Sequence, residues 1–188
     1  EVFAIRATLK NGQVIFIDAD EPPIDMALRS PDRDKWITAA TKELRDQLDM
    51  HCWSIIRRSD VPPGTDIIPS GWRCNRKRVR GVIKRYKCRA YAAGFAMKQG
   101  IHWDTSSCPT PRAATFRSLI STAVNHGLDL FSGDTSSAYL HAAIDRPLFM
   151  RAWRHAEKFL PESFSGDKGE TAQLHKALWG LKQSGDLF

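Results

Sequence analysis

Between Arg73 and Arg89, nine of the seventeen residues are Lys or Arg, and no Asp or Glu occurs from Ile67 to Trp103. A turn signal, Arg80-Gly81, divides this basic run. Val82-Ile83 and Tyr86 give its second half strand character. The pattern predicts a β-hairpin over 72–91 with its turn near Arg80-Gly81. Period-two alternation then puts Arg85, Lys87 and Arg89 on one face of the second strand. A cationic ribbon of that kind can grip phosphates, Arg through paired hydrogen bonds and Lys as a point charge. Arg76, Lys77, Arg78, Lys84 and Arg85 are the candidate nucleic-acid contacts. A solvated charged hairpin or a localisation signal would read the same way from charge alone.

The whole chain agrees in sign. It carries 28 Lys and Arg against 21 acids, a formal charge of +7, and a pI near 9.4. A polyanionic partner such as nucleic acid fits that balance, as does an anionic membrane surface. The hydrophobic fraction of 42% is enough for a packed core and argues against wholesale disorder. No stretch approaches the roughly 18 apolar residues of a membrane span, and the first residues do not read as a signal peptide. Cys52, Cys74, Cys88 and Cys108 form no C-x-x-C pair and no zinc spacing with His. They read as reduced thiols of an intracellular protein.

Other elements follow from periodicity. Val14-Ile15-Phe16-Ile17 is a candidate short strand, broken by Glu21-Pro22-Pro23. Ser30-Pro31 predicts a helix start, Ser as N-cap and Pro at the first helical position. Trp36, Ile37, Ala40, Leu44 and Leu48 continue it at helical spacing for about four turns. A second helix is expected from Arg112 to His126, with Ala113, Phe116, Ile120 and Ala123 on one face and Gly127 at its C-terminus. Leu128–Thr135 reads as a strand, Ser136 to about Ala143 as a short helix, and Leu148–Met150 as another strand. Residues 154–170 read as a polar surface loop, and Leu174–Gly180 leads into a final apolar segment.

Asp134 ends the expected strand and precedes the short helix. A carboxylate there can help to hold a hard cation such as Mg²⁺. Capping the helix is the commoner role, and Ser136 or Ser137 could share it. A two-metal phosphoryl-transfer site needs more than one carboxylate, and the sequence contains no Asp-Asp pair.

Several separated segments resemble one family, in order. Ser30-Pro31-Asp32, Lys35-Trp36, Ala39 and Glu43-Leu44 are similar to the opening helix of Ty1/copia-type retrotransposon reverse transcriptases. His51-Cys52-Trp53 resembles the His-x-Trp that follows. Arg85-Tyr86-Lys87-Cys88-Arg89 with Ala92-Ala93-Gly94-Phe95 resembles RYKARLVAKGF. Asp134-Thr135-Ser136-Ser137-Ala138-Tyr139-Leu140 resembles DISSAYL. Leu174, Lys176-Ala177-Leu178-Trp179-Gly180-Leu181-Lys182-Gln183-Ser184 resembles L-x-K-x-LYGLKQS. The resemblance covers about residues 22–188.

It implies an α+β chain of the right-hand polymerase fold, fingers plus incomplete palm, truncated before the second catalytic motif. Residues 1–21 would be a linker or upstream tail, and 22–188 a partial reverse transcriptase domain. By position, Lys87 and Arg89 would hold the triphosphate of the incoming nucleotide. Asp134 would be the first catalytic metal carboxylate. Tyr139 would pack beneath the nucleotide sugar, and Gln183 would lie in the segment lining the nucleotide and template pocket. The implied chemistry is two-metal nucleotidyl transfer with two Mg²⁺ ions, or Mn²⁺ in their place. RNA template, DNA primer and dNTPs would be the partners, with downstream palm, thumb and RNase H segments and no membrane. The implied location is cytoplasmic particles or the nucleus. Departures are Ala93 in place of Lys, Trp72-Arg73-Cys74-Asn75 in place of W-V-F-K, Thr135 after the catalytic Asp, Asp186 in place of Arg, and no Y-x-D-D. The alternative is a degenerate, non-enzymatic remnant that binds nucleic acid through the hairpin 72–91.

Overall fold

The structure is a computed structural model and describes residues 4–8, 14–108, 110–167 and 169–188. Strand β1 (Ala4–Thr8) pairs antiparallel with β2 (Val14–Asp18). A helical turn, α1 (Ile24–Ala27), follows the two prolines.

The long helix α2 spans Arg33–Asp49 and buries Trp36, Ala40, Leu44 and Gln47. That spacing of three and four is one face of a helix. Its start differs from expectation, because Asp32 rather than Ser30 occupies the N-cap position. The Ser30 hydroxyl instead donates to the Ala27 carbonyl at 2.7 Å. It closes the turn behind α1, so the new helix begins two residues beyond Pro31.

The hairpin forms as its sequence predicts. Strand β5 (Ser70–Val79) pairs antiparallel with β6 (Val82–Ala92). Arg80 and Gly81 both adopt positive φ, 50° and 79°, as the favoured two-residue hairpin turn requires. The register places Trp72 opposite Ala90, Cys74 opposite Cys88 and Arg76 opposite Tyr86. That face packs on α2, where Trp36 meets Tyr86 edge-on with ring centroids 4.7 Å apart. Cys74 and Cys88 are free thiols buried in this layer, with sulfurs 2.7 Å apart.

A four-stranded sheet completes the core. Strands β3 (Trp53–Arg57), β4 (Ile67–Ile68), β7 (Ala143–Arg151) and β8 (Glu170–Lys176) lie in the order β3-β8-β7-β4. Only the β4–β7 pairing is parallel. The β7–β8 ladder is interrupted between Ala143 and Leu148, where Pro147 has no N–H to donate. Residues 154–170 are not the simple surface loop that was expected. They contain the helical turn α4 (Ala156–Phe159) and bury Leu160 and Phe164. Phe164 packs on Trp53 and Phe159 on Trp72, so burial of these side chains outweighs the polar composition around them.

Helix α3 spans Ala113–Asn125 with Gly127 at φ 63°, close to expectation. Its apolar face is not a core face here: Ala123 is buried, while Phe116 and Ile120 are exposed. Residues 128–135 form no strand. A strand exists through its ladder, and no described residue pairs with this segment. The expected helix after Asp134 is a single 3-10 turn, Ala138–His141. A last helical turn, α5, spans Ser184–Leu187. The chain is thus a mixed α and β structure, and no described helix is long and apolar enough to cross a membrane.

Candidate functional site

Alternation along β5 and β6 gives the hairpin two unlike faces. The face turned from α2 carries Arg73 opposite Arg89, Asn75 opposite Lys87, and Lys77 opposite Arg85. Like charges directly opposite each other destabilise a strand pair. This face therefore works against the hairpin's own stability, as functional sites often do.

The basic residues expected to contact nucleic acid separate into two groups. Arg76 lies on the α2 side with its side chain only 15% exposed. Its Nη1 donates to the Ala19 carbonyl at 2.7 Å and its Nη2 to Asp32 Oδ2 at 3.1 Å. The guanidinium also sits over the Trp36 and Tyr86 rings. Arg78 donates to Asp20 Oδ2 at 2.7 Å and to the Gly81 carbonyl. The Arg78 bond holds the Asp20 carboxyl below the ordinary carboxylate range, and bonds from Lys35 and then Tyr86 do the same for Asp32. Lys77, Lys84, Arg85, Lys87 and Arg89 form no ion pair among the described residues, and of these Lys77, Lys84 and Arg85 are exposed.

A cleft of about 1050 Å³ gathers most of the remaining candidates. Its lining includes Lys35, Lys42 and Glu43 from α2, residues 84–89 from β6, residues 134–139, and Trp179. Lys87 and Arg89 thus share one space with Asp134 and Tyr139. Burial, then the neighbouring Arg89 and Arg85, lower the Lys87 pKa against the opposing charge of Glu43. The exposed Asp134 follows an irregular segment that pairs with no described strand, and no side chain caps the turn after it. Helix capping therefore does not account for Asp134.

The segment 177–183 closes one wall, and backbone contact sets its position. The Ala92 amide donates to the Trp179 carbonyl at 2.8 Å. A Cβ on Gly180 would lie 2.1 Å from the Ala92 oxygen, and one on Gly94 would lie 1.9 Å from the Gly180 oxygen. Only glycine permits that approach. It brings Trp179 under Arg89, with the guanidinium 4.3 Å from the ring centroid. Tyr139 meets the same ring edge-on at 5.0 Å. Sequence reasoning passed over Trp179 as part of a longer motif; its signal was an aromatic residue next to the glycine.

Gln183 is buried and does not line the cleft. Its Nε2 donates to the His102 carbonyl at 2.9 Å. The neighbouring Ser184 hydroxyl donates to the Leu178 carbonyl at 2.7 Å. Both brace the turn that presents Trp179.

The donor set does not fit a two-metal centre. No group of three His, Cys, Asp or Glu side chains that could hold a metal ion occurs among the described residues. Asp134 is the one carboxylate contributed by the 134–139 segment. No metal-dependent step is assigned to these residues.

A cationic strand face opposite an aspartate-bearing loop, with an aromatic floor between them, is an arrangement suited to a nucleotide and a polynucleotide. The family of reverse transcriptases (RNA-dependent DNA polymerases) matches residues 51–188, and the chain belongs to that family. Its relatives place it with the copia-type retrotransposon proteins. It is 24% identical over 177 residues to the retrovirus-related Pol polyprotein from transposon TNT 1-94 of Nicotiana tabacum, covering 92% of this chain and 12% of the polyprotein. Similarity to the corresponding polyprotein from transposon RE2 of Arabidopsis thaliana is 24% over 161 residues, covering 84% and 10%. For transposon RE1 of the same plant it is 23% over 184 residues, covering 96% and 12%. The chain spans about a tenth of the length of these relatives. No solved structure matches it.

Proposed function

We propose that this chain is the fingers and first palm portion of a copia-type RNA-directed DNA polymerase with the right-hand fold. Residues 22–188 are the polymerase unit and residues 1–21 its upstream connection. The cleft receives a deoxynucleoside triphosphate beside the primer and template. One observation carries this reading: Lys87 and Arg89 line the same cleft as Asp134 and Tyr139. In it, Lys87 and Arg89 neutralise the triphosphate, and Arg85 and Lys84 follow the nucleic-acid backbone. Tyr139 lies beneath the sugar. Gln183 acts on the pocket from behind, by holding Trp179 in place. Asp134 would be one carboxylate of a Mg²⁺ site that the described residues do not complete by themselves.

The test is primer extension on an RNA template by the polyprotein that contains this chain. Extension should be lost with Asp134→Asn and weakened, with a raised KM for dNTP, by Lys87→Ala. Extension that survives Asp134→Asn overturns the assignment of Asp134. Binding of nucleic acid without any extension leaves the chain as a non-enzymatic binding module acting through the hairpin.

A further inference from the structure

The cationic face of the hairpin also lines a second, smaller space, whose lining does not include Asp134. This pocket has a volume of about 240 Å³ and is lined by Glu21, Arg73, Asn75, Lys77, Lys87 and Arg89. At roughly 30 Å³ per water it has room for about eight waters, more than one phosphate group needs. Four of its six side chains are cationic and one is an acid.

We propose that this pocket is a second phosphate site, for a backbone phosphodiester of a nucleic-acid strand, and that Glu21 is its built-in competing anion. The inference rests on the nucleic-acid reading of the hairpin given above. Glu21 accepts hydrogen bonds from Arg73 Nη2, 3.1 Å from each carboxylate oxygen, and from Asn75 Nδ2 at 2.8 Å. It thus engages Arg73 and Asn75 as a phosphate would. The Arg73 and Asn75 bonds, with Lys77 nearby, keep Glu21 ionised well below the ordinary glutamate range.

Glu21 does not balance the whole face. Lys77, Lys87 and Arg89 form no ion pair among the described residues, and Asn75 Oδ1 is buried without a hydrogen-bond partner. Three cations around one small concavity repel each other until an anion enters. Lys87 and Arg89 also line the large cleft. A ligand carrying several phosphates in series can therefore span both spaces across the same two side chains. A nucleic-acid strand has that form, whereas a single free phosphate fills only one space.

The experiment uses the 188-residue chain and a labelled single-stranded oligonucleotide, titrated at several salt concentrations. Glu21→Gln should tighten binding roughly three- to ten-fold at low salt and steepen the log–log salt slope by about 0.7, one more phosphate neutralised. Asp20→Asn removes the same charge one residue away, from the Arg78 pair, and should change binding less. Adding Lys77→Ala to Glu21→Gln should cancel the gain. Equal effects of Glu21→Gln and Asp20→Asn, or a gain that survives Lys77→Ala, overturn the pocket while leaving the hairpin as a nucleic-acid contact. Wild-type binding that is absent or insensitive to salt overturns the parent reading instead. Inorganic phosphate that competes as well as the oligonucleotide at equal phosphate concentration identifies a simple anion site and overturns the strand assignment.

Discussion

The guanidinium of Arg89 lies over the indole of Trp179 with 4.3 Å between carbon and ring centroid. These residues are ninety positions apart, and their contact joins the cationic ribbon to the Leu178–Leu181 segment. A stacked guanidinium keeps its charge and its in-plane donors. The ring thus fixes where Arg89 presents its donors to the cleft. A cation–π contact of this kind contributes about 0.5–2 kcal/mol.

Trp179→Ala should therefore weaken binding of a fluorescent dNTP analogue roughly three- to ten-fold, corresponding to about 0.5–1.5 kcal/mol. Trp179→Phe should retain most of the affinity, because a ring remains under the guanidinium. Equal loss for both variants in a binding titration would mean that stacking is not what the indole supplies.

The approach of Gly180 to Ala92 makes a separate prediction about stability. Gly180 sits at φ +90°, and a Cβ there would meet the Ala92 oxygen at 2.1 Å. Gly180→Ala should lower the unfolding free energy by about 1–3 kcal/mol from backbone strain alone, and further through the clash. Gly94→Ala should be similarly harmful through its clash with the Gly180 oxygen. Urea denaturation of each variant reads the loss. As a contrast, Gly64 has open space at its Cβ position and suffers only from its φ of +79°.

Arg76 and Arg85 should separate cleanly although both lie in the basic run. Arg76→Ala removes hydrogen bonds to Ala19 and Asp32 from a mostly buried side chain. It should destabilise the fold by about 1–3 kcal/mol and leave the salt slope of nucleic-acid binding almost unchanged. Arg85→Ala should leave the thermal midpoint nearly unchanged and flatten that slope by about 0.7. Midpoint and slope measured on both variants test the division.

Glu43 gives a pH dependence of known sign. Burial raises its pKa above the ordinary 4.5, against the opposing hydrogen bonds from Gln47 and the Ala90 amide. A carboxyl whose folded pKa is raised favours folding while protonated. That contribution is fully present below about pH 4.5 and is lost as pH rises through the folded pKa. Glu43→Gln should thus raise the thermal midpoint at pH 7, and the advantage should shrink as pH falls toward 4. A midpoint that drops at pH 7 would show that the charge supports the fold, through Arg89 and Lys87.

Much of the candidate site was legible because its signals are local. The turn at Arg80-Gly81 needs only those two residues, and the alternation of Arg85, Lys87 and Arg89 follows from strand geometry. The apolar spacing of α2 could be read in the same way, although its first residue could not. Ser30 had two possible uses, and the Ala27 carbonyl three residues back decided between them. The expectation of a strand at 128–135 failed for a related reason. Its apolar residues have strand character, but a ladder needs a partner, and pairing is not a property of one segment.

The sequence by itself determined the hairpin, its turn, the basic face and the order of family motifs, because side-chain periodicity follows from covalent backbone geometry. Only the tertiary structure decided which cations stay outside ion pairs. It engaged Arg76 with Asp32, Arg78 with Asp20 and Arg73 with Glu21, while Lys87 and Arg89 line the cleft without an ion pair among the described residues. It also brought Trp179 beneath Arg89 and put Gln183 behind the cleft wall. Those outcomes depend on packing between residues dozens of positions apart, and such contacts leave no period in the chain.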